Sequence, residues 1–219
     1  MTYAGALHRT AYAVKELYLT LQGEGAQTGR RAVFLRFAGC NLWSGREVDR
    51  AAATCTFCDT DFVGVDGPGG GKFGDAAGLT AAVVTAWGPN PDHRLVICTG
   101  GEPLLQLDPR LLDALHATGF AVGVETNGTQ APPPGLDWIC VSPKADAPLT
   151  LTAGDELKLV YPQPLAPPER FAGLAFDHFF LQPMDGPAQA ANTAAAIAYC
   201  LDHPRWRLGL QTHKFVGIA

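Results

Sequence analysis

Apolar stretches alternate with longer helix-like stretches along the chain, and glycine or proline separates many of them. The short apolar stretches predict β-strands, which are KELYLTLQGEG, AVFLRFAGC, RLVICTGGEP, FAVGVETNG, DWICVSP, DELKLVY and FDHFFLQP. The longer stretches predict α-helices, which are LTAAVVTAW, DPRLLDALHATG and AQAANTAAAIAYCLD. Because strands that alternate with helices pair in parallel, this order predicts an α/β fold with a largely parallel sheet.

The predicted helix DPRLLDALHATG carries signals at both of its ends. Asp108 can cap its N-terminus, Pro109 suits its first turn, and Gly119 would end it. Its apolar face consists of Leu111, Leu112 and Leu115. These features predict a surface helix that packs one side against the sheet.

Polar motifs follow several predicted strands at the point where each strand ends. They are TGGEP at 99–103, ETNG at 125–128, SPK at 142–144 and LQPMD at 181–185. The carboxyl ends of parallel strands meet at one edge of a sheet, where α/β enzymes place their chemistry. Each motif is also an ordinary turn sequence, because glycine, proline and asparagine favour turns. Together they predict one site ringed by strand ends.

Length, charge and cysteine content narrow the class of protein. The chain has 219 residues, which suits one domain over residues 1–219. Its net charge of −5 argues against a nucleic-acid partner, and no apolar run has membrane-spanning length. The first residues lack the apolar core of a signal peptide, so we expect a cytoplasmic protein. In that reducing compartment, six cysteines favour metal binding or catalysis over disulfides.

Three of the cysteines form a metal-ligand pattern. Cys55 and Cys58 make a Cys-x-x-Cys pair, and Cys40 precedes them in the same segment. Structural zinc sites are closed by four ligands, whereas a site that does chemistry keeps one position open. In an iron–sulfur cubane, three thiolates leave one iron open to a substrate or cofactor.

The segment FLRFAGCNLWSGREVDRAAATCTFCDTDFVG resembles the cluster loop of the radical S-adenosylmethionine (SAM) superfamily. That superfamily places Cys-x-x-x-Cys-x-aromatic-Cys after the first barrel strand, and Phe57 is the aromatic residue here. An insertion at 41–54 replaces the usual three residues, at little cost in loop-closure entropy. We expect SGREVDRAAA to form a short helix capped by Ser44, and VDGPGGGKFGD to form a flexible loop.

The segment LTLQGEGAQTGRRAVFLRFAGCNL resembles the 7-carboxy-7-deazaguanine synthase family of radical SAM enzymes. The matching features are its QGEG turn and Arg36, and CDT, TGGEP, ETNG and SPK then follow in the family's order. The resemblance extends from Glu16 to the end of the chain. It implies an incomplete TIM-like barrel of the radical SAM type with largely parallel strands.

The same resemblance implies which residues carry the function. A [4Fe-4S] cluster would be held by Cys40, Cys55 and Cys58, and Mg²⁺ would be contacted by Thr60. SAM would be bound by Phe57, Asp59, Gly100, Gly101, Glu102, Glu125, Ser142, Pro143, Lys144 and Gln182. A pterin substrate would be bound by Leu21, Gln22, Gly23, Glu24, Arg36, Thr99 and the terminal carboxylate of Ala219. The other cysteines are expected to be buried thiols, and His213 is expected on the surface or in the core.

The implied reaction converts 6-carboxy-5,6,7,8-tetrahydropterin into 7-carboxy-7-deazaguanine with loss of ammonia, in queuosine and 7-deazapurine biosynthesis. Cluster-bound SAM would supply a 5′-deoxyadenosyl radical, so no single protein acid or base is assigned a catalytic role. The family resemblance also implies an external electron donor of the flavodoxin kind and a homodimer.

Two other functions fit parts of the sequence. A glycyl-radical activating enzyme also has a short radical SAM barrel, but it acts on a protein and needs neither QGEG nor Arg36. A zinc-stabilised binding module would use the three cysteines and a fourth ligand. No fourth ligand stands at the spacing of known zinc motifs.

Overall fold

The computed structural model of the protein describes residues 11–218, so the predicted role of Ala219 lies outside the described residues. The strands are β1 (Tyr12–Leu21), β2 (Arg31–Phe37), β3 (Gly71–Phe73), β4 (Leu95–Gly100), β5 (Ala121–Thr126), β6 (Trp138–Val141), β7 (Ala153–Tyr161), β8 (Ala175–Pro183) and β9 (Trp206–Leu208). The α-helices are α1 (Ala76–Trp87), α2 (Pro109–Ala117), α3 (Gln189–Asp202) and α4 (Thr212–Val216). Short 3-10 helices are Gly25–Gln27, Glu47–Ala52, Pro103–Leu105 and Pro168–Arg170.

All nine strands belong to one sheet, in the order β3-β1-β2-β4-β5-β6-β7-β8-β9. From β2 to β9 every neighbouring pair is parallel, and β1 pairs antiparallel with both β2 and β3. Within residues 11–218, β3 and β9 each have a single strand neighbour, so the sheet in this part of the chain is open. The predicted α/β fold, an incomplete barrel with largely parallel strands, is confirmed.

The side chains of β2 alternate between an apolar core on one face of the sheet and a polar cavity on the other. Val33, Leu35 and Phe37 are fully buried in a core that they share with helices α1 and α2. Phe34 and Arg36 alternate with them and line an open cavity. Alternation is required because successive side chains of a strand point to opposite faces. Helices therefore cover one face of the sheet, and the other face carries the polar groups.

Strand β7 repeats this arrangement in the second half of the sheet. Leu157 and Leu159 pack in a core that includes Ala196 of helix α3. Glu156 and Lys158 alternate with the two leucines and belong to the cavity face. Both charged residues are buried, so their charges require partners within the protein.

The insertion at 41–54 folds around the short 3-10 helix Glu47–Ala52. Our expectation that Ser44 caps this helix is wrong, because Arg46 occupies the N-cap position and no side chain caps it. Ser44 Oγ instead accepts a hydrogen bond from the Arg46 N–H (3.2 Å) and donates to Asp49 Oδ2 (2.5 Å). The hydroxyl therefore stabilises the turn before the helix.

The glycine-rich segment VDGPGGGKFGD is not the free loop that its composition predicts. Its residues Gly71–Phe73 form strand β3, which pairs with Tyr12–Val14 at the edge of the sheet. A Cβ added at Gly70 would lie only 2.3 Å from the carbonyl oxygen of Lys15. The glycine thus permits close backbone packing, a use of glycine that composition does not distinguish from flexibility.

Helix α2 has the boundaries that the sequence predicts. Asp108 is its N-cap, and the Asp108 carboxylate accepts from the Leu111 N–H at 3.0 Å. The same Oδ1 accepts from the Tyr12 hydroxyl at 2.9 Å, which ties the helix to β1. Within residues 11–218, no helix has both the length and the apolar character needed to span a bilayer.

The three cysteines outside the metal-ligand pattern are free thiols, as expected. Cys98 and Cys140 are buried, whereas Cys200 is only partly buried. Burial raises the pKa of the Cys98 thiol to about 12, so this side chain behaves as a small apolar group.

We predict that Asp108→Ala lowers the free energy of unfolding by about 1–2 kcal/mol, because the helix cap and the bond to Tyr12 are lost together. Urea unfolding of the full chain measures this change. Asp113→Ala is the matched control, because Asp113 lies exposed on the same helix. Equal destabilisation by both substitutions would contradict the capping role.

Candidate active site

An open cavity of about 330 Å³ lies at the carboxyl ends of the parallel strands. It is lined by most of the residues that the sequence assigns to a site, namely Leu21, Gln22, Gly23, Glu24, Arg36, Phe57, Cys58, Asp59, Thr60, Thr99, Gly100, Gly101, Glu125, Ser142, Lys144 and Gln182. Four other assigned residues, Cys40, Cys55, Glu102 and Pro143, lie outside this lining. The prediction that strand ends converge on one site agrees with this geometry.

Glu102 lies in the GGEP turn but does not reach the cavity. It is fully buried, and its carboxylate accepts from the Leu104 N–H (2.9 Å), the Thr126 hydroxyl (2.8 Å) and the Asn127 N–H (2.8 Å). Burial raises the pKa of Glu102 despite these donors. The carboxylate thus joins the end of β4 to the end of β5, and the turn offers the cavity Gly100 and Gly101 instead.

The two glycines of this turn are required by the neighbouring strand. A Cβ at Gly100 would lie 2.2 Å from the carbonyl oxygen of Phe37, and one at Gly101 would lie 2.1 Å from that of Gly39. The φ of Gly100 is +121°, a conformation that glycine adopts at least cost. The turn and the loop that carries Cys40 therefore pack backbone against backbone.

The predicted cluster cysteines lie together at one side of the cavity. A hydrogen bond joins the Cys55 and Cys58 thiols, and it lowers the pKa of Cys58 to about 6 while raising that of Cys55. Burial raises the pKa of Cys40, and the charge of Cys58 raises it further. The Cys40 sulfur also accepts a bond from the Leu42 N–H at 3.4 Å.

This set of donors fits a cubane better than a single metal ion. Within residues 11–218, no three His, Cys, Asp or Glu side chains converge closely enough to hold one ion. A structural zinc ion draws four ligands to distances of about 2.0–2.3 Å. The thiolates of a cubane each bind a different iron atom and are more widely spaced, which suits three neighbouring cysteines.

Arg50 connects the insertion to the cysteine loop. Its guanidinium donates to the carbonyl oxygens of Thr56 (3.0 Å) and Cys58 (3.1 Å) and lies 4.0 Å above the ring of Trp43. Glu47 on the same 3-10 helix accepts from Arg50 Nε at 2.8 Å. The insertion therefore braces the backbone of the second and third cysteines.

The QGEG turn fits between β7 and the end of the chain because of its glycines. A Cβ at Gly25 would lie 1.9 Å from Glu156 Oε1, and one at Gly23 would lie 2.3 Å from His213 Nδ1. The Ala26 N–H, just after the turn, donates to Glu156 Oε2 at 2.8 Å. Each glycine thus admits a neighbouring side chain, and Gln22 and Glu24 of the same turn line the cavity.

Glu24 is the most strongly bonded side chain of this turn. Lys158 Nζ lies 2.5 Å from Glu24 Oε2, and Gln211 Nε2 donates to Glu24 Oε1 at 2.9 Å. Burial alone would raise the pKa of Glu24, but Lys158 and the amide of Gln211 hold it at about 2. The Glu24 carboxylate is therefore negatively charged at neutral pH.

Arg36 supplies a cation on the β2 side of the cavity. Its Nε donates to Glu16 at 2.6 Å, and its Nη2 donates to the Tyr18 hydroxyl at 3.3 Å. Burial would lower the pKa of Arg36, but Glu16 and Tyr18 raise it. Tyr18 also stacks on Phe34 at 5.9 Å, which gives the cavity an aromatic wall.

Two further polar side chains of the cavity are arranged for a ligand. Lys144 bonds to the hydroxyl and carbonyl oxygens of Ser142, which places its ammonium group at the end of β6. Gln182 is buried, and its Oε1 is an acceptor for which the described residues provide no donor. A ligand N–H at that position would satisfy this oxygen.

Lys158 and the last helix were not assigned to the site from the sequence. His213, which we expected elsewhere, lines the cavity together with Gln211 and Lys214. Lys214 Nζ bridges Asp59 (3.0 Å) and Asp185 (2.5 Å). The sequence did contain a signal that Lys158 faces the cavity. In DELKLVY this lysine alternates with leucines, so it must point to the polar face of the sheet.

Comparisons with known proteins show close relatives over almost the whole chain, although no protein-family model matches it. The 7-carboxy-7-deazaguanine synthase of Bordetella pertussis is 70% identical over 95% of this chain and 99% of its own. The synthase of Caulobacter vibrioides is 66% identical over 94% of this chain and 99% of its own. The crystal structure of QueE from Escherichia coli has a TM-score of 0.68 and 28% identity, covering 94% of this chain and 96% of its own.

We predict that Gly23→Ala displaces helix α4, because the new Cβ would overlap His213 beside the Thr212–Gly23 hydrogen bonds. Cleavage after Lys214 by a lysine-specific protease should become about ten-fold faster. The cleavage rate reports the fraction of molecules in which helix α4 is displaced from the QGEG turn. Gly74→Ala is the control, because its added Cβ would have no atom within 4 Å. Unchanged cleavage in Gly23→Ala would show that α4 does not depend on this glycine.

Proposed function

The chain belongs to the 7-carboxy-7-deazaguanine synthase family, and on that premise we propose a radical SAM mechanism in which it converts 6-carboxy-5,6,7,8-tetrahydropterin with loss of ammonia. Neither the glycyl-radical activating enzyme nor the zinc module is favoured by its relatives. One observation carries the proposal: a single cavity contains Cys58, beside Cys40 and Cys55, and also the fixed charges of Arg36 and Glu24.

Cys40, Cys55 and Cys58 would hold the [4Fe-4S] cluster, and the adjacent strand ends would hold SAM. When bound, the cluster and SAM supply the one-electron chemistry that removes a hydrogen atom from the substrate. The SAM contacts that we propose on the cavity face are Phe57, Asp59, Gly100, Gly101, Glu125, Ser142, Lys144 and Gln182, with Pro143 fixing the turn between two of them. Glu102 lies outside the cavity lining, and its contact with SAM stays a prediction.

The substrate would occupy the half of the cavity between the QGEG turn and β2. Arg36 is fixed by Glu16 and Tyr18, so its guanidinium can pair with the carboxylate of the pterin without a large loss of entropy. Leu21, Gln22, Gly23, Glu24 and Thr99 line the same half. Contact by the terminal carboxylate of Ala219 stays a prediction.

Thr60 would contact the magnesium ion. It stands between Asp59 and Asp61 in sequence, and all three residues line the cavity. Hydroxyl and carboxylate oxygens are the ligands that this hard cation prefers. The aromatic wall of Tyr18 and Phe34 would keep water away from the reacting carbon.

We also propose a flavodoxin-like external electron donor, a homodimer and a cytoplasmic location. The first two follow from the family resemblance. The third is supported by the six cysteines, which are all free thiols and therefore suit a reducing compartment.

Anaerobic reconstitution with iron and sulfide, followed by SAM, dithionite, Mg²⁺ and 6-carboxytetrahydropterin, tests the reaction. Mass spectrometry should find a product lighter than the pterin by one ammonia. Cys58→Ser should abolish turnover, whereas Cys200→Ser, at a partly buried thiol away from the cavity, should retain it. Formation of 5′-deoxyadenosine with unchanged pterin would refute the proposed substrate and keep the radical chemistry.

We predict that Arg50→Ala makes the protein lose iron to a chelator about ten-fold faster, because two hydrogen bonds to the cysteine loop disappear. Absorbance of the reconstituted protein follows the loss. Arg46→Ala is the control, since the side chain of Arg46 is 69% exposed and pairs with Asp49 within the insertion. Identical rates for Arg50→Ala and wild type would mean that the insertion does not brace the ligands.

A further inference from the structure

The ammonium group of Lys158 lies between two carboxylates of the cavity. Its Nζ is 2.5 Å from Glu24 Oε2 and 3.2 Å from Glu125 Oε1. The lysine side chain is 6% exposed, and those of Glu24 and Glu125 are 15% and 20% exposed. A charge so far from water persists only where opposite charges replace its hydration. The three groups therefore form one coupled unit.

Amide side chains donate hydrogen bonds to both carboxylates. Gln211 Nε2 donates to Glu24 Oε1, and Gln22 Nε2 donates to Glu125 Oε1, each at 2.9 Å. The lysine and these amides present N–H donors, which ionised oxygens accept and a carboxylic O–H does not. Both recorded bonds to Glu125 reach Oε1, so within residues 11–218 they leave Oε2 available to a ligand.

The charges around this unit reinforce the same arrangement. Burial would lower the pKa of Lys158, but Glu125 and Glu24 raise it well above its usual value. Glu156 and Cys140 face the lysine from β7 and β6, and His213 faces Glu24 from α4. Burial raises the pKa of both Glu156 and Cys140, and both groups also help to raise the pKa of Lys158, after Glu125 and Glu24.

We infer that Lys158 is a positioning residue that keeps Glu24 and Glu125 ionised at the same time, so that Glu24 accepts N–H donors from the bound pterin and Glu125 accepts hydrogen bonds from SAM. The inference rests on the proposed function, which supplies a ligand with amino and ring N–H groups. Two neighbouring buried carboxylates without a cation share a proton, because like charges disfavour each other. A protonated carboxyl would turn an acceptor of the site into a donor.

Lys158→Met tests the protonation directly, because methionine keeps an unbranched chain and removes the charge. In full-length protein with ¹³C in the glutamate side-chain carboxyl, one new carboxyl titration should appear between about pH 6 and pH 9. The double variant Lys158→Met with Glu24→Gln should lose it, since a single carboxylate has no partner with which to share a proton. A Lys158→Met protein without the new titration would overturn the inference.

Ligand binding gives a second readout that a packing role would not reproduce. Calorimetry of the reconstituted protein with 6-carboxypterin should show binding to Lys158→Met weakened about ten- to a hundred-fold near pH 6. Most of the affinity should return as the pH rises through the new titration, because the shared proton is then lost. An equal loss of affinity at every pH would assign Lys158 to packing and overturn the inference.

Lys15→Met is the matched control for removal of a buried lysine. Lys15 is 8% exposed and bridges Asp61 and Asp66, and the lysine itself is not part of the cavity lining, although Asp61 is. It should leave the pterin affinity within about two-fold and should create no glutamate titration. Failure of the wild-type protein to bind the pterin would refute the proposed function, and the carboxyl titration would still decide the role of Lys158.

Discussion

Successive side chains of a β-strand point to opposite faces of the sheet, and the rest of this structure depends on that alternation. On β2 and β7 it assigns leucine, valine and phenylalanine to the face covered by helices, and Arg36 and Lys158 to the other face. Moving either charged residue by one position along its strand would place it in the apolar core instead of in the cavity. The open sheet then collects these charged side chains in one cavity without a closed barrel around them.

Charges placed on that face must be balanced locally, because the charged side chains there are largely buried. Lys158 lies between Glu24 and Glu125, and Arg36 is paired with Glu16. Such pairs contribute little net stability, since removing charges from water offsets much of their attraction. Their effect is to fix which oxygens and nitrogens remain available, and this determines what the cavity can bind.

Most strands, the three longer helices and most of the residues that line the cavity could be predicted from the sequence, because they follow from local patterns. The Asp108 cap, the strand-end motifs and the cysteine loop each depend on residues close together in the chain. The contacts of the Glu102 carboxylate could not be predicted, because two of its donors, at Thr126 and Asn127, lie at a different strand end. Contacts of that kind join residues distant in sequence, and a single sequence contains no record of them.

The C-terminal segment illustrates the same limit and also shows how the two halves of the cavity are joined. Gln211 donates to Glu24 in the substrate half, and Lys214 bonds to Asp59 beside the last cluster cysteine. Because Gly23 has no side chain, helix α4 can approach the QGEG turn closely enough to make both contacts. The short helix α4 thus depends on a glycine near the start of the chain, and residues at and just before this helix join the QGEG turn to the cysteine loop across the cavity.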